Sequence, residues 1–452
     1  MFRVYFCGMV NSLQILQIFR VWFLVFFANC FADTIHAQIA SGPMLGAIDF
    51  KEAKIWIQTE KANTVYILYK SKDAKGEAKS TDTVITDKNR WFTAVLIADK
   101  VEPGTTYEYE VFVGNKRVET GRKLTFKTQQ HWQYRTNPPE FSFLAGSCVY
   151  INDSLTDRPG KPYGGDVAIF KAMANHKADF MLWLGDNTYY REVDWNTRTG
   201  MLYRNSHTRN LPEMQPLLSQ MSHFAIWDDH DFGPNNSDRT FWNKDLSRDV
   251  FSYFWANPSY GLSDNKGITS MFTWNDVDVF LLDNRYFRSP NERKSGDKTV
   301  LGRTQLEWLK DALVSSSAPF KFVAMGGQFL SDAGKFEMYS NYGFQKERQE
   351  IIQLIHDEGI QGVVFLNGDR HHTELSVLRE KDRPTIYDLT VSPLTSGSHF
   401  SDEINTLRVN ETYVAEQNYA EIFVKGPFRK RYIEIVVRDK AGKQLWNKRL
   451  DP

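Results

Sequence analysis

Phe141-Ser142-Phe143-Leu144-Ala145-Gly146-Ser147-Cys148 is the stretch around which the chain is organised. Its apolar part, residues 141–145, predicts a buried strand, and the Gly-Ser that follows predicts a tight turn. The turn presents Cys148 at the carboxyl end of the strand. Open α/β sheets place their functional groups at that end, so we expect Cys148 to lie in a functional site.

Three later strand ends repeat this arrangement, with chemically active side chains directly after an apolar run. They are Gly185-Asp186-Asn187-Thr188-Tyr189, Asp228-Asp229-His230-Asp231 and Gly368-Asp369-Arg370-His371-His372. Each of them alone is common in turns or ion pairs. Four such strand ends in one domain predict that they together form one metal site.

The last two of these segments predict how the ligands are arranged. The carboxylates around His230 repel one another and are costly to bury beside a core unless a cation neutralises them. Salt bridges or full exposure would reduce that cost, but a metal ion does so more effectively. If residues 369–372 stay extended, Asp369 and His371 point to one side and His372 to the other. That geometry predicts Asp369 and His371 as a ligand pair and His372 as a supporting or packing residue.

The predicted ligands also limit the choice of metal. Carboxylates and imidazoles suit several divalent metals, whereas a thiolate with a phenolate favours a ferric ion or another strongly Lewis-acidic metal. A bound metal would also deprotonate Cys148. Two neighbouring metals need a bridging carboxylate, and Asp186 is best placed for it by chain order. Such a pair lowers the pKa of a bound water and favours in-line phosphoryl displacement by hydroxide, without a covalent intermediate.

Length and composition indicate a folded chain of two or three domains. The sequence has 452 residues, of which 42% are hydrophobic and 14% aromatic, and this aromatic content argues against disorder. Lys and Arg together number 55, as do Asp and Glu. A net charge of zero provides no field that attracts polyanions, so we expect no specific nucleic-acid binding.

The N-terminal segment has the pattern of a secretory signal. Arg20 precedes the apolar run 21–28, which is too short to span a bilayer. The small side chain of Ala37 suits a signal-peptidase site. We therefore predict a signal peptide at 1–37, a secreted, periplasmic or extracellular location, and no stable membrane span after cleavage.

Three other interpretations of this segment remain open. The first is that translation starts at Met9, because the stretch before the apolar run is long for a signal peptide. The segment is alternatively an uncleaved membrane anchor, or a lipoprotein signal that uses Cys30. If cleavage removes Cys7 and Cys30, Cys148 is left without a disulfide partner in an oxidising compartment. An unpaired thiol there is consistent with a metal ligand.

The remaining sequence divides into two domains. Residues 38–130 show short alternating strands, which predict a β-sandwich, and the segment 101–109 resembles the corner before a late strand of fibronectin type III domains. We expect this domain to have a structural role. The polar, proline-containing residues 131–140 are interpreted as a linker. In residues 141–452, strands alternate with helical patterns, which predicts an α/β domain with a mixed sheet. Helices are predicted at 166–176, 302–315 and 344–358, and residues 432–446 predict a C-terminal hairpin.

The motifs of the second domain resemble those of the alkaline phosphatase D (PhoD) family of calcineurin-like metallophosphoesterases. They are Gly146-Ser147-Cys148, Gly185-Asp186 with Tyr189, Trp227-Asp228-Asp229-His230-Asp231 with Asn235-Asn236, Leu282-Asp283-Asn284-Arg285 and Gly368-Asp369-Arg370-His371. The resemblance implies an N-terminal β-sandwich followed by a four-layer α/β/β/α sandwich. It also implies a secreted phosphomonoesterase or phosphodiesterase that uses a ferric ion with calcium or another divalent metal.

The resemblance also implies roles for individual residues. The metal ligands or near-ligands are Cys148, Asp186, Tyr189, Asp229, Asp369 and His371. His230 is expected to contact substrate or to protonate the leaving group. Arg285 is expected either to hold a phosphate oxygen or to form a structural ion pair with Asp283. Asn236 is also expected to have an active-site role. The loop after Asp231 is one residue longer than in the family, so Asn235 is the alternative.

Two departures from the family pattern affect the expected substrate. Asn187 replaces an aromatic or apolar residue, and the chain ends in strands without the helix that covers the site in some members. A more open site would admit bulkier esters, so the expected substrate is a small-molecule or lipid phosphoester. A non-catalytic cell-surface binding protein on a degenerate phosphoesterase fold is the alternative, but all four strand-end motifs are retained. Phospholipase-like or sulfatase-like activity also remains open.

Overall fold

The computed structural model describes residues 39–73, 76–262 and 266–452. The predicted signal peptide at 1–37, its cleavage site, and the alternatives through Met9 and Cys30 lie outside the described residues and stay predictions. Within those three ranges, no helix is both long enough and apolar enough to cross a membrane.

The described residues form the following elements, numbered in chain order. The strands are β1 (Ile39–Ile48), β2 (Ala53–Thr59), β3 (Thr64–Ser71), β4 (Lys79–Ser80), β5 (Val84–Ile85), β6 (Thr93–Ala98), β7 (Thr106–Val113), β8 (Lys116–Arg117), β9 (Thr125–Lys127), β10 (Phe141–Gly146), β11 (Phe180–Leu184), β12 (Ser222–Ile226), β13 (Ser270–Trp274), β14 (Val277–Leu281), β15 (Lys321–Ala324), β16 (Val363–Asn367), β17 (Glu374–Leu378), β18 (Ile386–Thr390), β19 (Asn418–Lys425), β20 (Tyr432–Asp439) and β21 (Gln444–Leu450). The helices are α1 (Ile169–Met173), α2 (Arg198–Arg209), α3 (Gln215–Gln220), α4 (Asp229–Phe232), α5 (Lys244–Phe254), α6 (Arg303–Ser315) and α7 (Gln345–Asp357), with 3-10 turns at Lys88–Arg90 and Pro212–Met214.

Two large sheets carry the second domain. The first has the strand order β21-β20-β19-β10-β11-β12-β1-β2-β6, and the second has the order β13-β14-β15-β16-β18-β17. The strands β10, β11 and β12 are mutually parallel, as are β14, β15, β16 and β18. Every residue of β10 is buried, which is why it reads as a continuous apolar run rather than an alternating one.

The two sheets pack face to face with helices outside them. Phe143 of the first sheet meets Phe322 of the second edge to face, with ring centroids 5.0 Å apart. Successive residues of β15 alternate between cores: Phe322 and Ala324 face the first sheet, whereas Val323 joins the core under α6 and α7. Residues of α1, α2 and α3 contribute to the core that includes the first sheet. The predicted four-layer α/β/β/α arrangement is therefore confirmed.

The N-terminal strands divide between two sheets. β1 pairs in parallel with β12 and brings β2 and β6 into the large sheet. The strands β3, β4, β7 and β8 form a separate sheet, with β5 and β9 paired to it. The described residues form one compact unit. The boundaries at 130 and 140 stay predictions, and the pairing of β1 with β12 could not be inferred from local sequence pattern.

Several predicted elements correspond to observed ones. The helices predicted at 302–315 and 344–358 are α6 and α7, but the helix predicted at 166–176 contracts to the five residues of α1. The predicted C-terminal hairpin is the antiparallel pair of β20 and β21. The described structure has no helix after α7, in agreement with the expected lack of a C-terminal covering helix.

Candidate active site

The four strand-end motifs converge at the carboxyl ends of β10, β11, β12 and β16. The backbone turns sharply there, because Cys148, Asp186 and Asp369 have positive φ angles of 62°, 51° and 66°. Non-glycine residues rarely adopt this conformation, and it occurs preferentially at functional sites. Gly368 permits the close approach of two of these turns, since a Cβ at this position would lie 2.4 Å from the Ser147 side chain.

Cys148 is fully buried and surrounded by polar groups. The Ser392 hydroxyl donates a hydrogen bond to Sγ at 3.2 Å, and Sγ lies 3.7 Å from Asp186 Oδ2. Burial raises the pKa of the thiol to about 12, so Cys148 stays protonated unless a cation binds it. Single ligand atoms of Cys148, Asp186 and His371 all lie within 4.8 Å of one another.

Tyr189 and His371 complete this side of the site. The Tyr189 hydroxyl lies 3.1 Å from His371 Nε2. His371 Nδ1 lies 2.6 Å from the carbonyl oxygen of Gly397. Because a carbonyl oxygen only accepts, Nδ1 carries the proton in the neutral ring and Nε2 keeps its lone pair. This hydrogen bond orients the ring in the way that a metal-binding histidine requires.

The carboxylates of Asp186 and Asp369 are buried close to another anion, Asp229. Burial, together with the charges of neighbouring carboxylates, raises the pKa of Asp186 well above its usual range and that of Asp369 to about 7. Burial also acts to raise the pKa of Asp229, but His230, Arg285 and the backbone N–H of Asn236 lower it to about 2. In the absence of metal, ionising Asp186 and Asp369 at neutral pH is therefore unfavourable.

Several buried atoms at this position have no hydrogen-bond partner among the described residues. They are Asp228 Oδ2, Asp229 Oδ1 and His230 Nδ1. Two more groups of possible ligands, Asp186-Asp229-His230 and Asp228-Asp229-Asp369, each have ligand atoms within 4.8 Å of one another. Buried carboxylates with free oxygens and adjacent imidazoles are a donor set that fits metal ions. Asp229 and Asp186 each belong to two of the three groups, so both are placed to bridge.

Arg285 does not reach the cavity, contrary to the expectation that it holds a phosphate oxygen. Its side chain is 1% exposed and donates hydrogen bonds to Asp228 and, at 2.6 Å, to Glu337 Oε2. The alternative pair with Asp283 is not formed either, since Asp283 accepts from the backbone N–H of Arg285 and from Trp227 Nε1. Arg285 instead neutralises Asp228 from behind the site.

His230 and Asn236 both line the cavity. The His230 ring packs on Tyr189 with centroids 4.3 Å apart, and its backbone N–H lies 3.3 Å from Asp186 Oδ1. Asn236 has a positive φ of 59° and donates its backbone N–H to Asp229 Oδ2 at 2.6 Å. Asn235 also lines the cavity. The structure thus brings both asparagines to the site.

Residues 369–372 do not have the extended backbone from which Asp369 and His371 were predicted to be a ligand pair, and that pairing stays a prediction. Both residues have positive φ angles, so the segment is turned rather than extended. Asp369 consequently lies with Asp228 and Asp229, whereas His371 lies with Cys148 and Asp186. His372 is fully buried, does not line the cavity, and packs on the Tyr413 ring at 4.9 Å.

These residues form the floor of an open cavity of about 900 Å³. Such a volume accommodates a ligand much larger than phosphate. The mouth carries exposed aromatic side chains, Tyr163, Phe336 and Phe400, and the cations Arg158, Lys161, Arg191 and Arg370 line its walls. Sequence reasoning gave none of the seven a role in the site. Arg370, which lies between Asp369 and His371, and Arg191, which directly follows the segment 186–190, could have been found from their places beside predicted ligands, but the others belong to loops distant in sequence.

Comparisons with known proteins agree with this site. The family described as "PhoD-like phosphatase" matches residues 143–441, and the family described as "Domain of unknown function (DUF7800)" matches residues 36–131. Alkaline phosphatase D of Bacillus subtilis (strain 168) is 24% identical over 358 residues, which span 68% of this chain and 58% of that protein. This match therefore covers less than two thirds of the relative's length.

Solved structures show the same fold. A structure of PhoD superposes with a TM-score of 0.74 and 16% identity, covering 93% of both chains. A purple acid phosphatase from seeds of yellow lupin (Lupinus luteus) superposes with a TM-score of 0.67 and 9% identity, covering 90% of this chain and 74% of that one. With the family match over most of its length, the chain belongs to the PhoD-like phosphatase family.

Proposed function

We propose that this protein is a metal-dependent phosphoesterase that hydrolyses phosphate monoesters or diesters in the open cavity. One observation carries the proposal. Three buried carboxylates, those of Asp186, Asp229 and Asp369, meet at the cavity floor beside His230 and His371. Among the described residues, the one arginine or lysine paired with them is Arg285, at 3.8 Å from Asp229 Oδ1. Membership of the PhoD-like phosphatase family supports the same reaction.

The donor types support two kinds of metal. Cys148, Tyr189 and His371, with Asp186, would hold a ferric ion, because thiolate and phenolate ligands favour a strongly Lewis-acidic metal. The oxygen donors of Asp186, Asp229 and Asp369 would hold calcium or another divalent ion. When bound, such metals lower the pKa of a water and stabilise charge on the transferred phosphoryl group.

The surrounding side chains have separate tasks. His230 faces the cavity with an unpartnered Nδ1, so it is placed to protonate the leaving group. The backbone N–H of Asn236 fixes one oxygen of Asp229, which leaves the other oxygen free for a cation. Arg285 fixes Asp228 and takes no part in substrate contact.

The cavity supports a substrate with a bulky ester group. Its volume of about 900 Å³ and the exposed Phe336 and Phe400 at its mouth fit a small-molecule or lipid phosphoester. A secreted or periplasmic location is supported by the basic and apolar pattern before Ala37. N-terminal sequencing of the protein from fractionated cells tests that location, and a mature chain that retains residues 21–28 would contradict it.

Hydrolysis of p-nitrophenyl phosphate and bis(p-nitrophenyl) phosphate tests the proposed activity. We expect turnover that a strong chelator abolishes and that added iron and calcium restore. Cys148→Ala should lose at least about 100-fold in turnover because it removes a metal ligand. Asp357→Asn, which changes an exposed carboxylate paired with Arg383, is the matched control and should retain activity. No turnover on either ester with metals supplied would contradict the proposal and favour a binding protein.

A further inference from the structure

Arg191 is a cation at the cavity wall that the reaction described above does not use. It directly follows the motif that supplies Asp186 and Tyr189, and it lines the cavity together with them and His230. Its side chain is only 12% exposed. Its charge also acts on the Tyr150 phenol, another residue of the cavity wall. The guanidinium therefore lies within the cavity wall rather than in bulk solvent.

Two other buried arginines near the site have a buried carboxylate as partner. Arg204 pairs with Asp194 at 2.8 Å, and both side chains are 2% exposed. Arg370, which also lines the cavity, pairs with buried Glu403 at 2.5 Å. These cations are already neutralised by the protein.

Arg191 differs from these residues in its surroundings. Among the described residues its one ion pair is with Glu192, at 3.4 Å, and the Glu192 side chain is 63% exposed. Its Nε is buried and has no hydrogen-bond partner in the same part of the chain. Burying a guanidinium with such weak neutralisation is unfavourable unless an anion completes the site. The structure thus leaves the Arg191 guanidinium beside the cavity with an unpartnered Nε and, as its ion-pair partner among the described residues, only a solvent-exposed carboxylate.

We propose that Arg191 binds a phosphate oxygen of the substrate, the role that the sequence resemblance gave to Arg285. This inference rests on the proposed phosphoesterase function for the identity of the anion. Guanidinium groups bind phosphate through two parallel hydrogen bonds, which a lysine ammonium does not reproduce. A monoester dianion carries more negative charge than a diester monoanion, so Arg191 contributes more to the hydrolysis of monoesters.

The substitution that tests this role leaves the fold intact. Arg191 is held in its loop by backbone groups, since its N–H donates to Asp194 Oδ2 at 2.8 Å and its carbonyl accepts from the Asp194 N–H. Arg191→Gln removes the charge and keeps the backbone groups that make these bonds. Arg191→Lys keeps the charge but loses the planar pair of N–H donors that a guanidinium offers to phosphate. Arg383→Gln, at an exposed arginine outside the cavity, is the matched control.

The experiment uses the metal-loaded full chain and measures kcat/KM for both p-nitrophenyl esters, and the Kd of inorganic phosphate by calorimetry. We expect Arg191→Gln to lower kcat/KM for the monoester about tenfold to a hundredfold, and for the diester by less. Phosphate binding should weaken by a similar factor. Arg191→Lys should recover part of both losses, and Arg383→Gln should match wild type.

The results separate this inference from the proposed function. If wild type hydrolyses neither ester but binds phosphate, and Arg191→Gln loses that binding, the role of Arg191 is supported while the phosphoesterase proposal fails. If wild type and Arg191→Gln have equal kcat/KM and equal phosphate Kd, the inference is overturned. The inference is also overturned if wild-type protein does not bind phosphate. It is overturned as well if Arg191→Gln lowers kcat/KM equally for both esters while the Kd of phosphate is unchanged.

Discussion

Two clusters of buried ionisable side chains adjoin in this protein, and only one of them contains equal numbers of carboxylates and arginines. The floor cluster consists of Cys148, Asp186, Asp229, Asp369 and His371. The rear cluster consists of Asp228, Arg285, Arg288 and Glu337. They meet at the neighbouring residues Asp228 and Asp229, where Arg285 contacts Asp228 directly and lies 3.8 Å from Asp229 Oδ1.

The rear cluster neutralises itself, with two arginines facing two carboxylates. Arg285 hydrogen-bonds Asp228 and Glu337, and Arg288 lies 3.4 Å from Glu337 Oε1. Among the described residues, the three carboxylates of the floor cluster have one arginine partner, Arg285, which lies 3.8 Å from Asp229 Oδ1 and is already bound to Asp228 and Glu337. Burial raises the pKa of Asp186 and Asp369. Carboxylates of similar burial therefore have different roles in the two clusters, according to whether an arginine neutralises them. One cluster holds the fold together, and the other depends on cations from outside the chain.

The largest effect is expected at the floor cluster. Asp186→Asn removes a carboxylate that belongs to two of the three groups of possible metal ligands, so turnover on p-nitrophenyl phosphate should fall by about 1,000-fold or more. The same substitution removes an unfavourable buried charge, so the metal-free protein should melt at a higher temperature at pH 8 than metal-free wild type. Loss of activity together with a lower melting temperature would show that the floor cluster supports the fold instead.

The opposite result is expected at the rear cluster. Arg285→Met leaves Asp228 and Glu337 buried without their counter-ion, which should lower the free energy of unfolding by about 3–5 kcal/mol in urea titrations. Arg303→Met is the matched control, because Arg303 is 66% exposed in its pair with Glu307, and its loss should cost about 0.5 kcal/mol or less. A similar small cost for Arg285→Met would contradict the assigned role.

Much of this architecture follows from short-range sequence pattern. A buried parallel strand leaves a continuous apolar run, and the chain must turn directly after it, so Cys148, Asp186, Asp229 and Asp369 could be placed at the carboxyl ends of their strands from sequence alone. That these strands belong to two facing sheets could not be inferred in this way. The same pattern predicted α6 and α7, because amphipathic spacing is also local.

Other features depend on contacts between distant segments. The sequence places Arg285 next to Asp283, but the fold turns its side chain towards Asp228 and Glu337. Alternation along residues 369–372 assumed an extended backbone, whereas the positive φ angles of Asp369 and His371 show that this segment is turned. The weak neutralisation of Arg191 becomes visible only when the cavity wall is assembled.

The most direct test of the floor cluster is the unfolding free energy of chelated wild type at pH 5 and pH 8, measured again after metals are returned. The pKa of Asp369 rises from about 3.9 in the unfolded chain to about 7 in the folded one. The contribution of Asp369 to the free energy of unfolding is therefore fully present below its pKa in the unfolded chain, and it is lost as pH rises through 7. Burial also raises the pKa of Asp186. The pKa of Asp229 is lowered instead, so the protonation of Asp229 changes the unfolding free energy only in solution more acidic than pH 5.

We predict that metal-free protein is less stable at pH 8 than at pH 5 by about 2 kcal/mol, and that metals restore the stability at pH 8. Asp369→Asn should reduce the difference between the two pH values. Metal-free protein that is equally stable at both pH values, with no response to added metals, would contradict the claim that the floor cluster depends on metal cations.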